Sequence, residues 1–480
     1  MQMKRIIIVV VLASITIAAK PQKITSMYME NLPIAGYTKA SFFPKYKFSI
    51  GITPVSSFQF MYNSSIKFSD IISEVDNGVA RINVTEFLTG MRPTNYFNVQ
   101  LDYELLSTSF KVKNNFFSLA LTNKTFTEIR IPRDLILLAW KGNGSFLGSR
   151  ASFDNMGVDM FNYNELAIGY TRNIRDALHV GGRVKILQGI SCFNTEKSVF
   201  GLTTDTSTYW LNMDYAFRMN IAAPLDIDTD GFKMDEFIVN DLLGFENIGF
   251  GFDVGADIMV SKKFNLGLSV VDLGYLQWNG MVKNLSVEDG HLTFQGIEID
   301  TSLNFNFSDS ALQVLQDTLL DKFKPVRTTD PFITPLNTRL YLNGTYLIND
   351  KHRVGAICQS RMGGKLNDMS LSLLYRYSPA RFFDFTASYT MNSIGYSKVG
   401  TGISLSLLGS SFYFVTDDLL SFFLPQNAKS LSFNFGWYYV QRKLDKTKKV
   451  KNMPKQKTPD QPKPQPDIKD KPKGELNKGN

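Results

Sequence analysis

Three histidines, two cysteines and one run of spaced aspartates are the residues of this 480-residue chain that could support catalysis or metal binding. His179 and His352 adjoin tight turns, and neither they nor His291 stand in a recognisable nucleophile or metal-ligand setting. Cys192 and Cys358 lie too far apart in sequence to read as a zinc site or a disulfide framework. Asp226-x-Asp228-x-Asp230-Gly231 matches the opening of an EF-hand loop, but Phe237 stands at the twelfth position, where a bidentate Glu is required. A solvated acidic loop over 224–246 is the expectation. The Gly-containing runs lack the strand–helix context of a phosphate loop. These observations exclude an enzyme and imply no cofactor and no metal. The charges that remain of interest are periodic ones: Glu165, Arg183, Lys185, Asp253 and Asp257, each followed by an apolar neighbour.

Period-two alternation assigns those charges to one face of extended strands. Residues 163–189 form a hairpin, with Leu166, Ile168, Val184 and Ile186 on one side, Glu165, Arg183 and Lys185 on the other, and a polar turn at 173–176. A soluble sandwich would turn the charges to water; an outer-membrane barrel would turn the apolar face to lipid and the charges inward. The pattern recurs at 98–131, 250–270, 339–361, 370–389 and 431–439. Over 250–260, Asp253 and Asp257 share the polar face; the alternation then slips at Asp272 in the following arm, which predicts a bulge.

Residues 1–19 read as a secretory signal peptide, with Lys4 and Arg5 ahead of the apolar run Ile6–Leu12 and small residues near a cleavage point. No later segment has the roughly 18 apolar residues of a spanning helix. An exported chain with apolar strand faces is therefore expected to close as a transmembrane antiparallel β-barrel, all-β, of about 14 strands with short loop helices. The aromatic content of 13% suits membrane girdles. The domain reading is a signal peptide (1–19), an N-terminal arm (20–57), the barrel (58–441) and a tail (442–480). Pro21, Pro33, Pro44 and Pro54 forbid a long central strand in the arm, which is either irregular, leading into a first strand near 46–52, or a plug in the barrel mouth. Pro132-Arg133-Asp134 opens a helix over 135–140, and 310–323 is predicted as another. Short turns at 113–115, 173–176, 261–263, 349–351 and 378–380 contrast with long connections elsewhere, placing the short-turn side and both termini in the periplasm.

The tail carries twelve Lys and one Arg against five acidic residues, a balance of +8 that equals the net charge of the whole chain. The basic isoelectric point thus reports a Pro- and Lys-rich disordered tail, not a nucleic-acid-binding face. The partners expected are outer-membrane lipid and, through the tail, peptidoglycan or a periplasmic protein, with no nucleic acid.

The runs E-L-A-I-G-Y-T-R-N-I-R-D-A-L-H-V-G-G-R-V-K and G-F-D-V-G-A-D-I-M-V-S-K-K-F-N-L-G-L-S-V-V-D-L-G resemble the hairpins of FadL-type outer-membrane barrels. The segments 132–148 (P-R-D-L-I-L-L-A-W-K-G-N-G-S-F-L-G) and 412–436 resemble a Bacteroidota outer-membrane family of unknown function, distantly similar to the PorV and PorQ barrels of type IX secretion. That resemblance spans about residues 24–441 and carries no catalytic or ligand residues with it. Where such proteins show Asn-Pro-Ala near the mature N-terminus, this chain has Lys39-Ala40-Ser41. The FadL likeness implies passage of small or hydrophobic molecules across the outer membrane; the PorV and PorQ likeness implies a structural or partner-binding barrel. Ile168→Arg is expected to impair assembly and Glu165→Arg to be tolerated.

Overall fold

The computed structural model describes residues 24–71, 74–76, 79–81, 84–228, 231–234, 244–295, 323, 325–362, 368–392 and 397–442. The segment read as a signal peptide, most of the predicted 310–323 helix, part of the acidic loop and the tail beyond Arg442 lie outside the described residues.

Fourteen antiparallel strands close into a barrel: β1 (Tyr46–Ser64), β2 (Thr94–Val112), β3 (Asn115–Pro132), β4 (Gly157–Ile174), β5 (Leu178–Thr204), β6 (Ile248–Met259), β7 (Phe264–Trp278), β8 (Thr338–Leu347), β9 (His352–Met362), β10 (Asp368–Ala380), β11 (Phe383–Asn392), β12 (Ser397–Leu407), β13 (Ser410–Thr416) and β14 (Ser430–Arg442). Each strand pairs with its sequence neighbour, and β1 pairs with both β2 and β14, so no edge is left. An even number of alternating strands brings Tyr46 and Arg442 to one rim. That rim also carries six short turns; the one at Leu408–Gly409, both with positive φ, was not among those expected.

The alternation has the outcome a membrane requires. Ile168, Val184, Ile186, Phe252, Val254, Leu268 and Leu373 are exposed on the outer face, whereas Glu165, Lys185, Asp253, Ser372 and Thr386 are buried inside. The outward apolar side chains form the lipid belt, and the inward polar ones line a protein-filled lumen.

Three expectations change. The barrel starts at Tyr46 and not at 58: the first strand, expected near 46–52, runs on to Ser64 with Pro54 taken up in a bulge, where pairing with β2 jumps from Ile52 to Ser57. The missing donor of Pro54 is thereby kept out of the ladder. Opposite this bulge, a Cβ on Gly436 would fall 2.0 Å from the Ser56 carbonyl oxygen, so only glycine fits. The turn placed at 378–380 lies one step later, with β10 continuing to Ala380 past a register shift. Finally, the strand expected over 208–221 is Leu211–Ala222, and it stays out of the barrel. It pairs with the upper part of β5 and with Asn284–Phe294, which in turn pairs with Val326–Thr328. Together they extend β5 into a sheet beyond the long-loop rim. Within the solvated acidic loop expected over 224–246, Leu225–Asp228 pairs with Gly231–Met234 as a small hairpin.

The two segments singled out by resemblance sit at the long-loop rim. Pro132 caps the helix Arg133–Lys141, which ends at Gly142 with φ +71°, a conformation that suits glycine. The turn of helix Leu420–Phe423 lies on the outer face, its Phe422 ring against Phe414 and Phe433.

Candidate functional site

Strands β3 to β7 turn six charged side chains into one half of the lumen. Lys185 Nζ is 2.8 Å from Asp253 and 3.7 Å from Glu165, and it also donates to Asp272. Lys124 Nζ is 2.6 Å from Glu165 and 3.5 Å from Asp272, and Arg183 Nε is 2.8 Å from Asp253. Buried charges are tolerated only when paired and hydrogen-bonded, and here three cations meet three carboxylates. The bulge predicted at Asp272 makes this arrangement possible: β7 pairs Leu273 with Phe252 and Val270 with Val254, so two residues oppose Asp253. Asp272 has φ +60°, points inward, and its amide donates to Asp253 Oδ1 at 2.7 Å. A second link crosses the lumen, with Arg339 Nη2 of β8 donating to Gln100 of β2 at 3.1 Å.

The N-terminal segment 24–45 occupies the lumen near the short-turn rim. Thr25 bonds Asp417 through both its amide (2.9 Å) and its hydroxyl (2.5 Å), and its hydroxyl lies 2.8 Å from Ser388 of β11. Tyr28 reaches the Gly344 carbonyl of β8 at 3.2 Å. Glu30 pairs with Arg353 of β9 and Arg376 of β10, and Asn31 with Asp384 of β11. Tyr37 donates to Glu104 of β2, Lys39 lies 3.0 Å from Asp257, and Ser41 also donates to Asp257. Its apolar residues join the inner wall: Met29, Leu32, Ile34 and Phe42 pack with Tyr413, Val415 and Tyr438. Burial alone would raise the Glu30 carboxyl, but the charges of Arg353, Lys39, Arg376 and Lys45 outweigh it and hold the group below the usual carboxylate range.

Above the segment opens a chamber of about 1020 Å³, its mouth included, floored by Ile34 and Tyr37. Its wall carries four basic side chains (Lys124, Arg183, Lys185, Arg339) and four acidic ones (Asp102, Glu104, Glu165, Asp272), with Phe161, Tyr163 and Leu276 between them. A second cavity, about 540 Å³ with its open mouth included, lies between the segment and strands β1 to β5.

Of the five residues expected to face the lumen, Glu165, Arg183, Lys185 and Asp253 converge in the ion network. Asp257 is also inside, but beneath the N-terminal segment and bonded to it. Glu165 is fully engaged between Lys124 and Lys185, so a second cation there would meet two others; the expected tolerance of Glu165→Arg does not follow from this packing. Sequence reasoning missed Lys124, Arg339 and Glu104, whose faces alternation assigns but whose partners it does not show. Asp272 had a visible signal, the slip in its strand. The histidines stay apart: His179 stacks on Phe43, His352 bonds Tyr375 at 2.7 Å, and His291 lies 2.9 Å from Asp214 on the protruding sheet. Cys192 and Cys358 are both free thiols. Among the described residues no group of three His, Cys, Asp or Glu is placed to hold a metal ion.

The chain belongs to the family of unknown function DUF5723, which matches residues 41–417. No curated protein matches it. Among solved structures it is similar to the Pseudomonas putida toluene transporter TodX, with 9% identity over 88% of this chain and 94% of that one and a TM-score of 0.35. It is similar to a Pseudomonas aeruginosa FadL homologue, with 9% identity over 86% and 94% and a TM-score of 0.38. The monoaromatic hydrocarbon channel CymD matches at 8% identity over 89% and 94%, with a TM-score of 0.38.

Proposed function

We propose that this DUF5723-family barrel is a passage for small molecules across the outer membrane, with the short-turn rim and both termini on the periplasmic side. The observation that carries the reading is the charged chamber, which opens toward the long-loop rim and is floored by the N-terminal segment. A barrel needed only as a wall could fill its lumen with packed side chains; this one keeps a chamber, about 1020 Å³ with its open mouth included, lined by eight ionisable groups. Such a lining makes polar and amphipathic solutes the favoured cargo, because an apolar molecule would strip water from those charges with nothing to replace it. The N-terminal segment acts as the plug of this passage.

A partner-binding barrel is the second reading, favoured by the sheet that stands beyond the long-loop rim and exposes Tyr209 and Trp210. The basic tail, residues 442–480, would then hold peptidoglycan or a periplasmic protein; binding of the isolated tail to purified peptidoglycan across a salt series tests that part. Liposome swelling separates the two main readings. Flux of small polar solutes that exceeds that of empty liposomes supports passage. A tight barrel that copurifies with another envelope protein supports the alternative and removes the first.

A further inference from the structure

At the seam where β14, β1 and β2 meet, the outer face of the barrel carries a ladder of rings up to the long-loop rim. Phe58 and Phe60 of β1 stack on Phe433 of β14, and Phe58 also packs on Phe435. The helix turn Leu420–Phe423 continues the ladder, with Phe422 against Phe433 and Phe414. That turn projects Leu420, Phe423 and Leu424, which are 55%, 74% and 48% exposed. Apolar groups this exposed are costly in water, and they continue the lipid belt upward to the rim.

The ends of the same three strands bring cations together above the ladder. Lys429 extends the pairing of β14 with β1 by one residue, its carbonyl accepting from the Ser64 amide at 2.7 Å. Alternation therefore sets Lys429 on the same outward face as Leu431, Phe433 and Phe435. Lys67 lies three residues beyond β1, where its amide donates to the Asp70 carboxylate at 2.9 Å. Arg92 lies two residues before β2, its amide and carbonyl both tied to Asn95, which also holds Ser65. Burial lowers the Lys429 ammonium from its ordinary value; Asp70 opposes that shift, and the nearby charges of Lys67 and Arg92 add to it. Three cations offset by Asp70 leave a local excess of positive charge that an anion would neutralise.

We propose that this seam binds a phosphate-bearing lipid of the leaflet on the long-loop side, its phosphate among Lys67, Arg92 and Lys429 and an acyl chain along the ladder at Phe433. Lys429 stands four residues above Phe433, about 13 Å along a strand, so one lipid spans both. The occupant is a lipid because the ladder is continuous with the lipid belt, and because charge above and hydrocarbon below are matched together only by an anionic amphiphile. A phosphate ion would leave the rings uncovered, and a neutral lipid would leave the cations without an anion. The site does not depend on whether anything passes through the lumen.

The test uses the full chain refolded in dodecylmaltoside and checked by heat-modifiable gel mobility, with bound lipid read by native mass spectrometry. Phosphorylated lipid A should persist as an adduct, and its dephosphorylated form should not. Lys67→Gln, Arg92→Gln and Lys429→Gln together should weaken the adduct by about fivefold for each cation removed. Leu420→Ser with Phe423→Ser should weaken it while every cation is kept. Arg175→Gln, Lys262→Gln and Lys263→Gln, which remove three exposed cations from the short-turn rim, should leave it unchanged. Equal loss in that control would mean diffuse attraction to the whole barrel and would overturn the site. Equal retention of the dephosphorylated lipid would do the same. Displacement by inorganic phosphate at the lipid's own concentration would make the occupant a phosphate ion and overturn the lipid. If the triple variant at the seam does not fold, Lys67→Gln carries the comparison alone, since the recorded bond of Lys67 is through its amide.

Discussion

The two halves of the lumen solve the problem of buried polarity differently. From β3 to β7 the wall carries Lys124, Glu165, Arg183, Lys185, Asp253 and Asp272, and its charges neutralise each other across strands and across the lumen. From β10 to β14 the buried residues are mostly hydroxyl-bearing: Ser372, Thr386, Ser388, Thr390, Ser404, Ser411 and Ser432. Some of these hydroxyls pair across strands, as Ser372 with Thr390 and Ser406 with Ser411 do, each at 2.8 Å, while the Thr386 hydroxyl has no partner among the described residues; the short side chains keep that wall smooth. Tyr413, Val415 and Tyr438 can then take the apolar side chains of the N-terminal segment. Long charged side chains reach inward and need room and solvent; short hydroxyls do not. The chamber therefore forms on the charged side, and the Thr25 end of the segment is fastened toward the other.

Breaking the charged half is expected to cost most. Lys185→Met leaves Glu165, Asp253 and Asp272 with one cation fewer, and removing one partner of a buried ion pair costs about 3–5 kcal/mol. Urea unfolding of the refolded barrel should show that loss, and a change below about 1 kcal/mol would mean that water screens the network. Glu165→Arg should be as harmful, since it sets a third cation beside Lys124 and Lys185. Next in size is the lipid face: Ile168→Arg should cost about 2–4 kcal/mol if it lies near the bilayer midplane. Equal assembly of Ile168→Arg and wild type would remove Ile168 from the lipid belt.

A smaller effect is expected at the segment's own ion pair. Glu30 is held ionised by Arg353, Lys39, Arg376 and Lys45 in spite of its burial. Its carboxyl is below the unfolded value of about 4.3, so its contribution is complete above that pH and is lost as the pH falls through the folded value. A fluorophore on Thr25→Cys should report the segment retained at pH 5 and released only in stronger acid, whereas Glu30→Gln should loosen it at neutral pH. Release near pH 6 would show that another group holds the segment.

How far these features were readable depends on the distance over which each is determined. The lipid face and the inward charges follow from alternation within single strands, whereas the count of about fourteen rests on short turns and long loops alternating along the chain. The slip at Asp272 marked a bulge, though not the carboxylate it delivers to Lys185. The N-terminal segment has no period, and its bonds join residues hundreds of positions apart, such as Thr25 to Asp417. Alternation could not distinguish Leu211–Ala222 from a membrane strand, because the difference lies in the strand it pairs with. The same limit hid Arg339, whose partner Gln100 stands on the opposite wall.

The hydroxyl half should give the smallest effects, and their pattern is informative. Ser372 and Thr390 face each other on β10 and β11 with both side chains buried. Thr390→Val alone leaves the Ser372 hydroxyl without this partner, and an unsatisfied buried group costs about 1–3 kcal/mol. Ser372→Ala together with Thr390→Val removes both halves of the bond and should be nearly neutral, since hydrogen bonds in water exchange one partner for another. A double-mutant cycle by urea unfolding measures the difference directly. Strict additivity of the two single changes would mean that each hydroxyl already bonds elsewhere, and the burial of this pair would then have to be explained by hydration instead of pairing. If the coupling is present, the two halves of the lumen obey one rule at different strengths. A lone charge is costly enough to need a network, whereas a lone hydroxyl needs only the residue across the strand.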